Sequence, residues 1–561
     1  MSADTPDAEP MQISREGHRD PSWPESVEIF DTTLRDGSQF EGIALTTDDK
    51  LRIAEQLDHL GVAYIEGGWP GSNPRDDAFF QRAADGELDL GVSELVAFGS
   101  TRRPKGKVDS DETLANLLAA RTGIVCIVAK SWDYHVLEAL RTTLDEGAAM
   151  IHDSVEYLVA NGRRTFVDFE HFFDGYKRNP EFAMRALESA AVAGADTLVL
   201  CDTNGGSLPH EVEQITRTVV DTFGSDLTIG MHTQNDTGCA VANAVAGVRA
   251  GSRHVQGTIN GYGERTGNCD LTTFVPNLSL KMGIRTLPDG AMERLTAVSH
   301  HVAELVNLPP NPALPYVGKS AFAHKAGLHT SAIARRPDAY EHVDPATVGN
   351  GTRFLVSDLS GRSTVELKAK QLGLDLDANQ LKAVLDELKK LEHAGYHFEA
   401  ADASLELLMR RATGWRNPHF SLESFRVTVE HRPRKDAQEI NPLGHYDGVE
   451  TEATIKLLFA DLDGGPDERV IATGEGNGPV NALDAAFRAA IGDRFPELAA
   501  VKLADYKVRI LDSATGTGAI TRVLIESTDG EHRWTTIGVS ENIIEASWQA
   551  LADALIYALS R

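Results

Sequence analysis

TLVLCDTNGGSLPHEVEQITRTVVDTFGSDLTIGMHTQ, residues 197–234, holds two apolar runs with one helical pattern between them. TLVLCDT (197–203) and LTIGMHTQ (227–234) have the length and composition of strands, and Val212, Ile215 and Val219 fall at i, i+3, i+7, one face of a helix. A nearly continuous apolar strand that returns through a helix to a second such strand implies parallel pairing, because both faces of a parallel sheet are covered. The alternation extends outward in both directions. Upstream lie VEIFDTTL (27–34), VAYIEGG (62–68), ELVAFGS (94–100), GIVCIVAK (123–130) and TFVDFEHF (165–172), and downstream HVQGTIN (254–260), which makes eight runs. Ile53, Leu57 and Leu60 supply a second helical face at i, i+4, i+7. Eight such units close most naturally into a (β/α)8 TIM barrel over 26–290, with its functional residues at the C-terminal ends of the strands. The rival is an open doubly wound sheet, but no G-x-G-x-x-G follows the first strand.

Past 290 the pattern changes. Residues 291–418 read as a helical linker region: 291–308 is helical, NLPPNPALPYVGKS (307–320) is a Pro-rich connector, and 376–412 carries charged amphipathic helices such as ANQLKAVLDELKKLEHAG. Period two returns in FRVTVEHR and TEATIKLLF, followed by helix NALDAAFRAAI, strands around VKLADYKVRIL and TRVLIEST, and a closing helix near ENIIEASWQALADALIYAL, so 419–561 reads as a separate α+β domain. The acidic, Pro-containing start MSADTPDAEP marks 1–25 as a disordered tail without the basic start and apolar core of a secretory signal.

The 561 residues carry 54 Lys+Arg against 83 Asp+Glu, a net charge of -29 that repels a phosphate backbone and argues against nucleic acid as a partner. The longest apolar runs fall far below the ~20 residues that span a bilayer, so no membrane segment is expected. Cys126, Cys201, Cys239 and Cys269 stand singly, with no C-x-x-C pair. A cytoplasmic enzyme is the expectation.

In a barrel, the strand ends face one mouth. Here they bring Arg35 and Asp36, Glu66, Glu170, Asp202 and Thr203, then His232, Thr233 and Gln234, and finally the loop GYGERTGN ending in Asn268. A carboxylate, an imidazole and amide oxygens together suit a divalent ion with positions left for substrate and water. His232 and Gln234 are two apart, so on a strand both point to one side. A lone barrel-mouth histidine is more often simply hydrogen-bonded; with Asp36 and Asn268 at neighbouring strand ends, metal ligation is the preferred reading.

DTTLRDGSQ (31–39), DFEHFFDGYKRNP (168–180), HTQNDTGCAVAN (232–243), QGTINGYGERTGN (256–268) and GKSAFAHKAGLH (318–329), in that order, closely resemble the 2-isopropylmalate, homocitrate and citramalate synthase family. The resemblance runs from about 27 to the C-terminus. It implies a Claisen condensation of acetyl-CoA with a 2-oxo acid on a divalent-metal barrel. HFFDGYKRNP and TIGVSENIIEASWQAL are most similar to the branch that takes pyruvate and forms (R)-citramalate for isoleucine biosynthesis.

By that resemblance Asp36, His232 and Gln234 would be metal ligands, with Asn268 a further one. The family usually reads H-x-H. Gln234 in the second place favours magnesium or manganese over zinc and leaves open ligation directly or through water. Arg35 would bind and polarise the 2-oxo acid, Thr203 would hold its carboxylate, and Glu170 would take the proton from acetyl-CoA. A structural carboxylate paired with Lys177 or Arg178 is the alternative for Glu170. Asp202 would orient Arg35 or a backbone turn, and Glu66 would meet the metal's water shell or pair with Arg35. His329 and Tyr340 match an acid–base pair supplied across a homodimer. The C-terminal domain would bind an end-product amino acid, isoleucine, as allosteric inhibitor, the alternative being a dimerisation module without a ligand. GEGNGPV (474–480) alone suggests a nucleotide loop but lacks the last glycine of that fingerprint. The competing functions are a 2-isopropylmalate synthase, a metal-dependent retro-Claisen lyase, and an amino-acid sensor without catalysis.

Overall fold

Eight parallel strands close in sequence order into a barrel: β1 (Glu28–Asp31), β2 (Tyr64–Gly68), β3 (Glu94–Ser100), β4 (Ile124–Lys130), β5 (Arg164–Glu170), β6 (Thr197–Asp202), β7 (Thr228–Thr233) and β8 (His254–Gly257), with β8 pairing back onto β1. The computed structural model describes residues 19–324, 336, 340–355, 362–431, 449–460, 467–511, 516 and 518–561. Side chains alternate between the two faces of each strand. Phe30, Tyr64, Val96, Phe98, Ile124, Cys126 and Phe166 point inward and fill the lumen, Tyr64 and Phe166 meeting edge to face at 5.2 Å. Ile29, Ile65, Val125, Ile127, Val167, Leu198, Leu200 and Ile229 point outward against the helices. Burying each such side chain stabilises the fold by about 1.5–3 kcal/mol, so both faces of the strands are apolar and the runs read as continuous.

Local signals set the helix ends. Helix Thr47–Leu60 opens on a capping box, Thr46 with Asp49, and stops at Gly61, whose φ of 87° a side chain would resist and whose added Cβ would meet Pro288 at 2.6 Å. It buries Ile53, Ala54, Leu57 and Leu60.

Two compact units emerge. One reaches Ala323 and takes in Glu341–Thr352; the other holds His324, Tyr340 and the described residues from Arg353 to Arg561. Where the sequence ends the barrel at 290, packing continues. Helix Leu295–Leu305 places Leu295, Val298 and Val302 in the barrel's own core, and Thr296 donates to the Val348 carbonyl at 2.6 Å. Within the expected tail 1–25, Trp23 packs on that core and Arg19 donates to its carbonyl at 2.8 Å, while 1–18 lie outside the described residues.

A short ribbon joins β9 (Ala323–His324), whose first residue ends the first unit, to β10 (Arg353–Phe354), and the second unit has helices Arg362–Gln371, Ala378–His393 and Asp402–Ala412 around Val365, Leu381, Val384, Leu388 and Leu405. Two three-stranded antiparallel sheets follow, each closed by a helix. They are β11 (Ser421–His431), β12 (Val449–Phe459) and β13 (Glu468–Gly476) with Pro479–Ile491, then β14 (Lys502–Ile510), β15 (Thr521–Thr528) and β16 (Arg533–Ser540) with Ile543–Ser560. The sequence reading names no strand at β16 and starts the closing helix near Glu541. The first two glycines of GEGNGPV serve packing: a Cβ on Gly474 or Gly476 would lie 2.3 Å from the Ala486 nitrogen or 2.5 Å from the Ala482 nitrogen of the helix crossing above. Among the described residues no helix is long and apolar enough to cross a membrane.

Candidate active site

The mouth is built outward from the motif DTTLRD. Strand β1 stops at Asp31, so Arg35 and Asp36 sit in the turn beyond it rather than on the strand end that the sequence suggested. That turn is tied at both sides. Asp31 accepts from the Thr33 backbone and hydroxyl at 2.8 and 2.9 Å, Thr33 in turn accepts from the Ile259 backbone at 2.9 Å, and Thr32 donates to Glu66 Oε2 at 2.5 Å. Burial pushes the Asp31 carboxyl up to about 7 against these bonds.

Arg35 is almost buried, its Nε 2.6 Å from Glu66 Oε2, one terminal nitrogen 3.6 Å from Asp36 Oδ2, and its guanidinium carbon 3.9 Å above the Phe98 ring. Burial opposes its charge, but the carboxylates of Glu66 and Asp36 outweigh that and hold it protonated. Of the two alternatives for Glu66, pairing with Arg35 is the one the geometry displays. Asp202, by contrast, meets the Ser207 hydroxyl at 3.0 Å and backbone at 3.3 Å, closing a turn with no bond to Arg35.

Asp36, His232, Gln234 and Asn268 converge. Gln234 lies one residue past the end of β7 and bridges to Asn268. Its amide nitrogen sits 3.5 Å from Asp36 Oδ2, 3.3 Å from His232 Nε2 and 3.0 Å from Asn268 Oδ1, and Asp36 Oδ2 is 3.3 Å from His232 Nε2. Burial raises the Asp36 carboxyl, but Arg35 and His232 more than reverse it and hold the group well below the usual carboxylate range. Burial lowers His232, and the Asp36 hydrogen bond turns that into a net rise. Gln234 Oε1 is buried with no hydrogen-bond partner among the described residues. The group that faces the carboxylate, the imidazole nitrogen and the Asn268 oxygen is the Gln234 amide nitrogen, so the amide has to turn over to offer its orphaned oxygen there; turned so, one carboxylate, one imidazole and two amide oxygens form a donor set that fits magnesium or manganese.

Glu170 ends β5 directly across from Lys130 on β4 and pairs with it, not with Lys177 or Arg178. Lys177 reaches Glu211 at 3.5 Å and Arg178 reaches Asp133 at 3.5 Å. The Thr203 hydroxyl accepts from the His171 backbone at 2.9 Å, which leaves its own hydrogen to donate. Its carbonyl is gripped at 2.7 Å by Arg265 from the loop after β8. Tyr340 belongs to the second unit and is half-exposed; His329 lies outside the described residues.

Below the mouth lies a layer that the sequence reading missed. Glu66, Cys126 and Asp168 bring ligand atoms within 4.8 Å of one another, and Gln256 joins Asp168 to His232. Burial raises both Glu66 and Cys126, and Asp168 adds to each shift. The signal was present: Asp168 stands two residues before Glu170 on β5, hence on the same face. A polar residue in a lumen of aromatic and aliphatic side chains needs a reason.

Residues 26–302 match the HMGL-like family, 316–395 the homocitrate synthase post-HMGL domain-like family, and 399–559 the LeuA allosteric (dimerisation) domain. The chain is 53% identical to an (R)-citramalate synthase of Streptomyces coelicolor over 96% of its own length and 97% of the relative's. It is 49% identical to an (R)-citramalate synthase of Geobacter sulfurreducens, covering 95% and 98%. A 2-isopropylmalate synthase of Sulfolobus acidocaldarius is 36% identical over 67% of this chain and 94% of the relative.

Proposed function

This chain belongs to the (R)-citramalate synthase family, and from that premise we propose that its barrel mouth condenses acetyl-CoA with pyruvate and water to (R)-citramalate and CoA. The observation that carries the reading is the meeting of Asp36, His232, Gln234 and Asn268 beside a buried Arg35. Magnesium or manganese held by those four residues would polarise the 2-oxo carbonyl. Arg35, fixed by Glu66 and Phe98, donates to the oxygen that gains charge as the carbon–carbon bond forms, and costs no reorganisation because it is already in place. The Thr203 hydroxyl donates to the substrate carboxylate. Glu170 takes a proton from the methyl of acetyl-CoA, and Lys130 keeps its carboxylate oriented across the strand gap.

His329 and Tyr340 complete the reading as an acid–base pair that a homodimer supplies from the partner subunit. Mixing inactive Arg35→Ala and His329→Ala proteins through unfolding and refolding regains activity if they act in trans; no recovery removes that arrangement.

Thiol release with manganese and either pyruvate or 2-oxoisovalerate tests the whole. CoA freed with pyruvate alone is the expected result. The opposite preference makes the protein a 2-isopropylmalate synthase, and silence with both in folded protein returns weight to a sensor.

The effector is assigned to a cavity of about 250 Å3 in the second unit, lined by Leu503, Ile525, Leu551 and Leu555 with Asp484 and Arg488 beside them. Asp484 Oδ2 accepts from Arg488 Nε at 2.9 Å, while its Oδ1 is buried without a partner among the described residues. A carboxylate for an ammonium, a guanidinium for a carboxylate and an aliphatic wall suit a branched amino acid, isoleucine by preference. Titration calorimetry giving no heat with isoleucine, leucine or valine removes this assignment.

A further inference from the structure

The lumen beneath the mouth contains one polar chain that nothing in the reaction itself requires. His232 Nδ1 is 2.7 Å from Gln256 Oε1, and Gln256 Nε2 donates to Asp168 Oδ1 at 2.8 Å. All three residues are at least nine-tenths buried, so water cannot substitute for a lost partner, and each bond in the chain must be made by the protein.

The polarity of such a chain is fixed from one end. Gln256 turns its amide nitrogen to Asp168, whose Oδ1 accepts from it. A side-chain amide carries its donor and acceptor on opposite arms, so the oxygen of Gln256 must then face His232. An oxygen accepts, and His232 Nδ1 must therefore carry a hydrogen. The neutral ring has one hydrogen to place, which leaves the lone pair on Nε2. Nε2 is the atom that faces the Gln234 amide nitrogen, a donor to its lone pair at 3.3 Å, and Asp36 Oδ2, which accepts from Nε2 only once the ring takes up its second hydrogen. Asp168 is itself held beside Cys126 and Glu66, so the direction originates in the centre of the barrel.

We propose that Gln256 is a positioning residue that sets His232 as the Nδ1–H tautomer with Nε2 open toward the metal site, and that Asp168 gives Gln256 its orientation. The inference rests on the metal reading only in what Nε2 is open for; the tautomer itself is independent of it.

Two measurements on the full-length protein separate these. The first is long-range 15N–1H NMR of histidine-labelled, metal-free protein, with the His232 signals assigned by their loss in His232→Asn, recorded where the ring is neutral. The wild type gives a single Nδ1–H pattern. Asp168→Asn, close in volume, can offer its amide nitrogen or its oxygen to Gln256, so the amide is free to turn and a second tautomer appears. Gln256→Met removes the acceptor altogether and also mixes the tautomers. A wild-type Nε2–H pattern, or an unchanged Nδ1–H pattern in both variants, overturns the proposal.

The second is Mn2+ affinity by electron paramagnetic resonance without substrates. Gln256→Met weakens it about 10- to 100-fold, the range usual for partners of a metal-bound imidazole, and Asp168→Asn weakens it less. Circular dichroism controls for folding. Wild-type affinity in a folded Gln256→Met protein overturns the role toward the metal, whereas no Mn2+ binding in the wild type itself defeats the metal reading and leaves the NMR result to stand or fall alone.

Discussion

The barrel mouth and the cavity of the C-terminal unit both bury charge, and they do so by opposite means. At the mouth every charged group leans on another: Arg35 on Glu66 and Asp36, Asp36 on His232, and His232 through Gln256 on Asp168. In the cavity the charges come from one turn of one helix, Asp484 and Arg488, and the remaining wall is mainly aliphatic. A wired site resists reorganisation, which suits stabilising a short-lived oxyanion. A cavity with an unsatisfied carboxylate oxygen suits a ligand that supplies the missing partner and leaves again.

The largest break in that contrast comes from the mouth. Asp36→Asn removes the carboxylate on which Arg35 and His232 converge, and kcat is expected to fall by about 10³–10⁴-fold, the several kcal/mol that polarisation of a carbonyl supplies. Manganese binding is lost with it, while isoleucine binding by calorimetry stays unchanged. A loss of both would mean that the two regions are not separate sites. Glu170→Gln tests chemistry apart from metal: kcat drops by about 10² or more, and manganese affinity holds. A drop in manganese affinity would transfer Glu170 from proton transfer to the metal's surroundings.

The same contrast explains how far the sequence could be read. The eight strands were visible because inner and outer faces are both apolar, and the runs therefore stand out against polar loops. Asp36, His232 and Asn268 were visible because chemistry fixes residue type as well as place. Gln256 was not, since a glutamine within an apolar run means nothing until the barrel closes and sets β8 and β5 face to face across the lumen, and Asp168 offered only its register with Glu170 as a signal. The cavity was least legible. Leu503, Ile525 and Leu551 are ordinary core residues by type, and only tertiary packing of the Pro479–Ile491 and Ile543–Ser560 helices with β14 and β15 makes them a wall. The ion-pair alternative weighed for Glu170 named other partners for a related reason. Lys177 and Arg178 are near in sequence, but Lys130, forty residues away, is its neighbour across the parallel ladder.

A smaller effect sharpens the cavity side. Asp484→Asn keeps the size of the side chain and removes the charge offered to an ammonium, so isoleucine affinity should fall about 10- to 100-fold, as for a lost hydrogen bond to a charged group. Activity without isoleucine should be unaffected. Isoleucine binding unchanged in this variant would place the effector elsewhere in the unit.

The smallest expected effect concerns substrate choice. Phe98 is buried in the lumen just under the mouth, with Arg35 stacked above its ring and Trp69 edge-on at 5.3 Å. If Arg35 grips the 2-oxo acid as proposed, these two aromatic rings would crowd an isopropyl group more than a methyl group. Phe98→Leu trims that wall while retaining an apolar contact for Arg35, and the ratio of kcat/KM for 2-oxoisovalerate to that for pyruvate should rise about tenfold, the scale on which one or two methylenes are discriminated in an apolar pocket. Phe98→Ala should raise the ratio further but lower both rates, because Arg35 then loses the surface it lies on and a cation–π contact of about 0.5–2 kcal/mol. Equal losses with both substrates in the leucine variant would mean that Phe98 only supports Arg35, and the wall that selects pyruvate would have to be sought on the opposite side of the mouth, toward Thr203 and the loop carrying Arg265.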